Sequence, residues 1–194
     1  NDCQRQLVSL GLECSDCIIS SGKHSALPHH EGAGPINESV PIIIDIFPRD
    51  IQTGYFADIT RTVVKGRPSE ILKKMFKVVK LGQKTGVELV KSGRDGKTIH
   101  NAIKRIFNEY GFLTDFSKKN PDGFIHSTGH GLGLDIHEPP RVSELSEILK
   151  LNQVITVEPG LYYPNIGGIR IEDTVVVTKA GCNNLTSFPK FFEI

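Results

Sequence analysis

The sequence lacks the features that mark several classes of protein. No apolar run approaches the roughly 18 residues that a membrane-spanning helix needs. The formal net charge is only +1 and there is no block of like charges, so nothing favours a nucleic-acid partner. The first residues carry no basic leader followed by an apolar block, so we do not expect a signal peptide there. These absences favour a cytoplasmic protein that binds neither membranes nor nucleic acids.

Cysteine is also scarce, with four in the chain. Cys14 and Cys17 form a C-x-x-C pair, a spacing that zinc sites and redox motifs both use. No second pair follows at zinc-finger spacing, and no βαβ pattern typical of a thioredoxin-like context surrounds this one. Because disulfides are rare in the cytosol, we expect the cysteines to be reduced.

The distribution of apolar residues indicates a mixed architecture. A chain of 194 residues that is 38% hydrophobic can bury a real core, and its length suggests one domain of up to double size. β-Branched and apolar runs predict strands, while apolar residues at helical spacing predict two helices. The predicted strands are 41–47, 55–65, 153–159, 161–163 and 168–178, and the predicted helices are 68–93 and 95–111. This order suggests an α+β fold in which helices pack on an antiparallel sheet.

Local signals support these elements. Residues 48–54 carry turn residues, so the strands on either side of them look like a hairpin with a long loop. Ser69 is a suitable N-cap for the first helix, and Gly93 stands where that helix would stop. Gly111 is the expected C′ residue of the second helix. We expect two apolar stripes to face the core: Ile71, Leu72, Met75, Val78 and Val79 in the first helix, and Ile99, Ile103, Ile106, Phe107 and Tyr110 in the second.

Four carboxylates interrupt the apolar strands. Asp45 lies in the middle of "IIIDIF", Asp58 on the returning strand, Glu158 at the end of "VITVEP" and Glu172 inside "IRIEDTVVV". A buried carboxylate is costly unless it is paired or bound to a cation. For Asp45 alone, a salt bridge to a buried arginine is the alternative. Four inward carboxylates cannot all stay charged in one place without cations among them, so the set favours a metal site.

The stretch "HSTGHGLGLDIHEPP" (126–140) supplies the histidines, and it is compatible with a metal site, a catalytic loop or a polar turn. Glycines flank His130, which lets the backbone and a ligand come close. In an extended chain His137 would face away from His130, unless a bend at Gly131 or Gly133 brings both into one pocket. For His126 we favour a hydrogen-bonded residue without a metal role. Four carboxylates and one imidazole suit Mn, Co, Fe or Zn, and two metals about 3.5–4 Å apart.

Four blocks, in this order, resemble the pita-bread metallopeptidases, which include methionine aminopeptidases, aminopeptidase P and prolidase. They are "IIIDIF…ADITRT", "GHGLGLDIHEPP", "TVEPGLYY" and "GIRIEDTVVVT", within a region from about Ser21 to Thr178. The resemblance implies an α+β, pseudo-twofold pita-bread (creatinase/aminopeptidase) fold, with a curved antiparallel sheet flanked by helices and cradling two metals. It also implies that residues 1–194 form the catalytic domain. Since the chain begins with Asn1, and the family's preceding helices are missing, we expect this domain to be truncated at its N-terminal end.

The resemblance implies a metal-ligating role for five residues. Asp45 would chelate one metal ion, and Asp58 and Glu172 would bridge the pair. His130 and Glu158 would bind the other ion. The ions would be divalent, with Mn²⁺ expected before Co²⁺, Zn²⁺ or Fe²⁺.

The family's further active-site residues also have counterparts here. His137 matches the histidine that contacts the substrate and the developing oxyanion. His29 matches the histidine that lines the pocket, although His30 lies next to it. Arg170 matches an arginine behind the ligands in the proline-specific branch. Glu158 would pass a proton to the leaving nitrogen after a metal-bridged hydroxide attacks the scissile carbonyl.

"GLDIHEPP" and "GIRIEDT" look like aminopeptidase P and prolidase, so we expect hydrolysis of the Xaa-Pro bond at the N-terminus of peptides or in dipeptides. The partners would be a peptide substrate and, by family analogy, a second copy of the chain in a homodimer. Two alternatives are a methionine aminopeptidase-like activity and a non-catalytic binding protein with the same fold. The separation of Asp45 and Asp58, 58 − 45 = 13, is longer than is usual in the family. We interpret the excess as a longer hairpin loop with a solvated Asp50 and unchanged strand facing.

Overall fold

The computed structural model describes residues 2–14 and 16–194. Helices and strands follow one another in the predicted order of strands, two helices and strands, and a short helix comes first. In chain order the elements are α1 (Asp2–Ser9), β1 (Leu12–Glu13), β2 (Ile18–Ser21), a short 3₁₀ helix (Gly22–Ala26), β3 (Pro41–Ile46), β4 (Arg49–Asp50), β5 (Ile59–Val64), α2 (Glu70–Leu89), α3 (Gly96–Glu109), β6 (Gly129–Gly131), β7 (Glu138–Val142), β8 (Val154–Val157), β9 (Gly160–Tyr163), β10 (Gly167–Arg170), β11 (Asp173–Val177) and β12 (Cys182–Asn184).

Both predicted helices form, and their ends show why. The Ser69 hydroxyl accepts a hydrogen bond from the N–H of Leu72, as expected for the N-cap of α2. Asp95, which we had not singled out, caps α3 in the same way. Gly111 has a φ of +85°, the left-handed conformation expected at C′. Gly93 is also left-handed, but α2 already ends at Leu89, so the predicted helix was too long.

The core lies where α2 and α3 pack on the larger sheet. Ile103 and Phe107 of α3 are almost completely buried against α2. The helices can approach because α2 presents Gly86 there: a Cβ at this position would lie 2.9 Å from side-chain carbons of both Ile103 and Val157. The predicted apolar stripes are therefore core-facing, except that Ile71 and Tyr110 at their edges are 42% and 46% exposed.

The strands form two main antiparallel sheets and two strand pairs. The first sheet has the order β2-β3-β5, and the second has the order β12-β11-β8-β6-β7. In the predicted hairpin of β3 and β5, Asp45 is paired with Thr60. Paired residues point to the same face of a sheet, and Asp58 lies two residues before Thr60, which also keeps it on that face. The extra loop residues therefore leave Asp45 and Asp58 on the same face, as expected. The smaller pairs are β9 with β10 and β1 with β4.

The hairpin loop is more ordered than we expected, although the Asp50 side chain is solvent-accessible as predicted. Residues 49–50 form β4, which pairs with β1. The Asp50 carboxylate accepts hydrogen bonds from the N–H groups of Gln52 and Thr53 and from the Thr53 hydroxyl. These bonds hold the pKa of Asp50 below its usual value. The loop is therefore folded around this side chain.

Residues 168–178, which we predicted as one strand, form two strands in different sheets. β10 ends at Arg170 and β11 begins at Asp173. Between them, the N–H of Ile171 bonds to the carbonyl of Pro159, and that of Glu172 bonds to the carbonyl of Thr60. The Ile171 bond continues the β9–β10 register, whereas the Glu172 bond goes to β5, so the backbone leaves its own ladder at Glu172. The periodicity of the sequence does not reveal this break, since both strands are apolar.

The prediction of reduced cysteines was wrong for one pair. Cys14 and Cys17 are joined in a disulfide, with their Cα atoms 6.2 Å apart. Both cysteines lie between β1 and β2. None of the helices in the described part of the chain is long and apolar enough to cross a membrane.

Truncating the core residue Ile103 should destabilise the protein strongly. We expect Ile103→Ala to lower the free energy of unfolding by about 2–5 kcal/mol, because it removes buried carbon atoms and leaves a cavity between α2, α3 and β8. The matched control is Ile71→Ala, at an exposed position of α2, where we expect a change within about 0.5 kcal/mol. Urea unfolding of the metal-free chain followed by circular dichroism measures both. Equal losses in the two variants would contradict this description of the core.

Candidate metal centre

Strand ends from both sheets bring the five predicted ligands to one cavity. Asp45 lies in β3, Asp58 directly before β5 and His130 in β6. Glu158 follows β8, and Glu172 lies at the break between β10 and β11. All five line a cavity of about 720 Å³, a volume within the usual range for a small-molecule site. The strand ends thus place in one cavity side chains that are up to 127 positions apart in sequence (172 − 45).

Within this cluster, the ligand atoms of Asp58, His130, Glu158 and Glu172 lie close to one another. Asp58, His130 and Glu172 each offer one ligand atom, and the three atoms lie within 4.8 Å of one another. The Nε2 atom of His130 is 3.7 Å from Oδ2 of Asp58 and 3.5 Å from Oε1 of Glu158. These separations are too long for direct hydrogen bonds.

His130 presents a lone pair to the carboxylates. Its Nδ1 atom is 3.0 Å from the carbonyl oxygen of Gly131, which can only accept, so Nδ1 carries the proton and Nε2 is free to bind a cation. Burial lowers the pKa of His130 to about 4, which leaves the ring neutral at pH 7. The Nε2 atom and the acid oxygens around it are therefore all electron donors.

The glycines beside His130 are required by close packing, as the sequence suggested. β6 runs between β7 and β8, and a Cβ at Gly129 would lie 2.0 Å from the carbonyl oxygen of Thr156. A Cβ at Gly131 would lie 2.5 Å from the carbonyl oxygen of Pro139. An irregularity in the β6–β7 register falls between His130 and Gly131, and it supplies the bend that we expected.

The acids of the cluster resist ionisation in the absence of cations. Burial, and then the charge of Glu172, raise the pKa of Asp58 well above its usual value. The same two causes raise the pKa of Glu158. Burial and the charge of Asp45 raise the pKa of Glu172 to about 7, although a 2.7 Å hydrogen bond from the Thr60 hydroxyl opposes the rise. Carboxylates held this close favour the binding of positive charge.

Asp45 combines the two roles that we considered for it. Its Oδ2 atom accepts a 2.6 Å hydrogen bond from Nη2 of Arg170, so the predicted alternative of a buried arginine partner is present. Its Oδ1 atom is buried without a hydrogen-bond partner, as is Oδ1 of Asp58. Buried carboxylate oxygens are rarely left without partners. Two such oxygens in a cluster of electron donors fit a cation-binding site.

Besides His130, the histidines His29, His126 and His137 line the cavity. The ring of His137 is 4.3 Å from that of His130, which shows that the bend brings both into one pocket. Burial and the nearby His29 lower the pKa of His137. His29 lines the cavity, whereas the adjacent His30 stacks on His24 and accepts a hydrogen bond from the N–H of Gly32. The structure therefore places His29 at the cavity, and His30 away from it.

His126 belongs to a buried hydrogen-bond network with Tyr162 and Arg170, only part of which was predicted. Both of its ring nitrogens are hydrogen-bonded, as we expected: Nδ1 to the carbonyl of Ser127, and Nε2 to the hydroxyl of Tyr162. The same hydroxyl accepts a 2.7 Å hydrogen bond from Arg170, and burial raises the pKa of Tyr162 to about 12. Thr174 was also missed, and its hydroxyl donates to the carbonyl of Asp58. The two tyrosines that follow "VEPG" could have pointed to Tyr162, but no neighbouring residue indicated the role of Thr174.

Known proteins of similar sequence and structure support one family. The profile of metallopeptidase family M24 matches residues 3–179. A curated relative, the Xaa-Pro dipeptidase of Pyrococcus furiosus, is 43% identical over 173 residues, which are 88% of this chain and 47% of that protein. The chain thus spans about half the length of the curated relatives that it matches.

Solved structures give the same answer for the fold. The prolidase from Pyrococcus furiosus superposes with a TM-score of 0.82 at 42% identity, covering 91% of this chain and 50% of that one. The X-Pro aminopeptidase from Thermotoga maritima gives a TM-score of 0.88 at 33% identity, covering 98% of this chain and 53% of that one. These likenesses confirm the expected α+β pita-bread fold. The profile match over most of the sequence and the identity to the relatives lead to one conclusion: the chain belongs to metallopeptidase family M24.

Proposed function

We propose that residues 1–194 form the catalytic domain of a dinuclear metal-dependent peptidase that hydrolyses Xaa-Pro bonds. The observation that carries this proposal is the set of five electron-donating side chains on one cavity, two of which hold buried oxygens without partners. The names of the relatives, Xaa-Pro dipeptidase and prolidase, support the substrate class. The family implies divalent metal ions, and the oxygen-rich ligand set favours Mn²⁺ among them.

We assign the ligands as the resemblance implies. Asp45 would bind one ion through Oδ1, because Arg170 already occupies Oδ2. Asp58 and Glu172 would be shared by both ions. His130, through Nε2, and Glu158 would bind the other ion, and their facing atoms 3.5 Å apart support this pairing. When bound, two such ions supply Lewis-acid activation of a carbonyl and a water of lowered pKa.

The residues of the chain would then orient the peptide and move its proton. His137 and His29 line the same cavity, where an imidazole N–H can donate to the oxygen of the scissile carbonyl and stabilise the charge that develops there. Glu158 would take a proton from the attacking water and deliver it to the leaving nitrogen. In an Xaa-Pro bond this nitrogen belongs to a ring, so the cavity must accept proline. A homodimer, expected from the resemblance, stays a prediction that light scattering of the purified chain would check.

Removing one shared ligand should remove both metal and activity. We expect Asp58→Asn to lower the Mn²⁺ content of the purified protein and to reduce kcat/KM on Ala-Pro by more than about 100-fold. This exceeds the 10–100-fold typical of residues that only support ligands. Metal analysis and a peptide assay measure the two effects. Asp115→Asn, which changes a carboxylate in a surface turn, is the matched control. An active, metal-loaded Asp58→Asn protein would overturn the proposed site.

Metal should reverse the stability order of wild type and Glu172→Gln. The folded-state pKa of Glu172 is raised to about 7, so its stabilising contribution is complete below the unfolded value near 4.5 and is lost as pH rises through 7. In EDTA at pH 8, Glu172→Gln should therefore melt at a higher temperature than wild type, and at pH 4.5 the two should melt alike. With Mn²⁺ at pH 8 wild type should be the more stable. Thermal melts at both pH values test this, and an unchanged order with and without Mn²⁺ would contradict it.

Peptide specificity separates the proposed activity from its closest alternative. We expect cleavage of Ala-Pro and little cleavage of Met-Ala, because Arg170 and the sequence around it match the proline-specific branch. A chromatographic assay of both peptides with Mn²⁺-loaded protein measures the ratio of the two kcat/KM values. Cleavage of Met-Ala alone would favour a methionine aminopeptidase-like enzyme. A folded, metal-free protein that takes up no Mn²⁺ would favour a binding protein with this fold.

A further inference from the structure

A second buried charged cluster lies directly behind the candidate metal centre. Arg61 of β5 and Asp173 of β11 form its centre, with Nη2 of the arginine 2.9 Å from Oδ1 of the aspartate. Their side chains are 7% and 1% exposed. Neither residue lines the cavity, so the ion pair is not part of the ligand set.

The guanidinium of Arg61 has an acceptor for each of its five N–H groups. Nη1 donates to the carbonyl oxygens of Thr60 and Glu172. Nη2 donates to Asp173 and to the carbonyl of Phe188, and Nε donates to the carbonyl of Pro189. Arg61 therefore connects β5, the break between β10 and β11, and the C-terminal segment.

Asp173 is held in place independently of Arg61. Its Oδ2 atom accepts hydrogen bonds from the amides of Gln83 and Asn184 and from the ammonium group of Lys190. The position of Asp173 is therefore fixed from α2, β12 and the C-terminal segment. Because these partners remain when Arg61 is changed, a variant at Arg61 leaves no buried charge without a partner.

The contacts of Arg61 act on the backbone that carries Glu172. Glu172 lies between β10 and β11, outside both strands. Its N–H donates to the carbonyl of Thr60, and its own carbonyl accepts from Arg61. The Thr60 hydroxyl then donates to Oε2 of the Glu172 side chain, at 2.7 Å. Arg61 and Thr60 together fix the backbone and one carboxylate oxygen of Glu172.

We propose that Arg61 is a positioning residue for the reaction, which sets the place of Glu172 at the metal centre, with Asp173 as its counter-ion. The inference rests on the dinuclear site proposed above, in which Glu172 is shared by both ions. A displacement of this one carboxylate changes the coordination of both positions at once. Arg61 thus acts on metal affinity without touching a metal, a substrate or the cavity.

The test compares Arg61→Met, Arg61→Lys and wild type. Lysine keeps the positive charge beside Asp173, but it cannot reproduce the planar fork that reaches the carbonyls of Thr60 and Glu172. We expect Mn²⁺ affinity, measured by titration calorimetry, to fall by about 10–100-fold in both variants, the size found for residues that support ligands. The visible absorption spectrum of the Co²⁺-loaded protein should also change in both. Lys104→Met, which removes the exposed ion pair with Glu144, is the matched control and should bind metal as wild type does.

The melting temperature of the metal-free proteins separates positioning from a structural role. We expect Arg61→Lys to melt within a few degrees of wild type while binding Mn²⁺ more weakly, and this variant decides the question if Arg61→Met does not fold. Wild-type affinity and an unchanged Co²⁺ spectrum in Arg61→Lys would overturn the inference, whatever its melting temperature. Wild type that takes up no metal would overturn the proposed metal centre itself, and with it this inference.

Discussion

The site depends on keeping several carboxylates close together and out of water. Two unit charges about 4 Å apart repel by about 4 kcal/mol at an effective dielectric constant of about 20. Burial, and then this repulsion, raise the pKa values of Asp58, Glu158 and Glu172. A fold can hold such a cluster only if its supports are stiff, because side chains free to move would separate. Each acid here lies in a strand or at a strand end that hydrogen bonds fix in place.

Hydrogen bonds between the β2-β3-β5 sheet and the segment around β11 provide this stiffness. The hydroxyl of Thr60 in β5 donates to the carboxylate of Glu172, beside β11. The hydroxyl of Thr174 in β11 donates to the carbonyl of Asp58, beside β5. The break before β11 sends Glu172 towards β5 rather than along its own sheet, and the backbone bond to Thr60 fixes that direction. The cluster is therefore built by cross-links between sheets, and neither sheet alone would assemble it.

Much of this arrangement could be predicted from local signals. Asp45, Asp58 and Glu158 are polar interruptions in apolar runs, and such interruptions are costly without a partner, so they point to a site. His130 has glycines on both sides, which the close packing of β6 requires. The helix caps and the core stripes also follow from neighbouring residues.

What could not be predicted depends on residues far apart in sequence. The bond from Arg61 to the carbonyl of Glu172 joins positions 111 residues apart, and nothing near either position indicates it. The break in 168–178 was missed because both parts are apolar and β-branched, while the redirected hydrogen bond runs from the N–H of Glu172 to the distant carbonyl of Thr60. The disulfide of Cys14 and Cys17 could not be predicted because zinc sites and redox motifs share the C-x-x-C spacing.

The pairing of Asp45 with Arg170 bears on how many cations the cavity suits. Four ionised carboxylates carry four negative charges, and Arg170 neutralises one of them through Oδ2 of Asp45. One divalent ion would leave the buried cluster with a net negative charge, which repels electron density developing on a substrate oxygen. Two divalent ions would leave one net positive charge, which stabilises the negative charge that develops on the substrate oxygen. In the proposed site, the buried guanidinium would therefore make a pair of divalent ions the charge state that suits catalysis, and Oδ1 of Asp45 would be available to one of them.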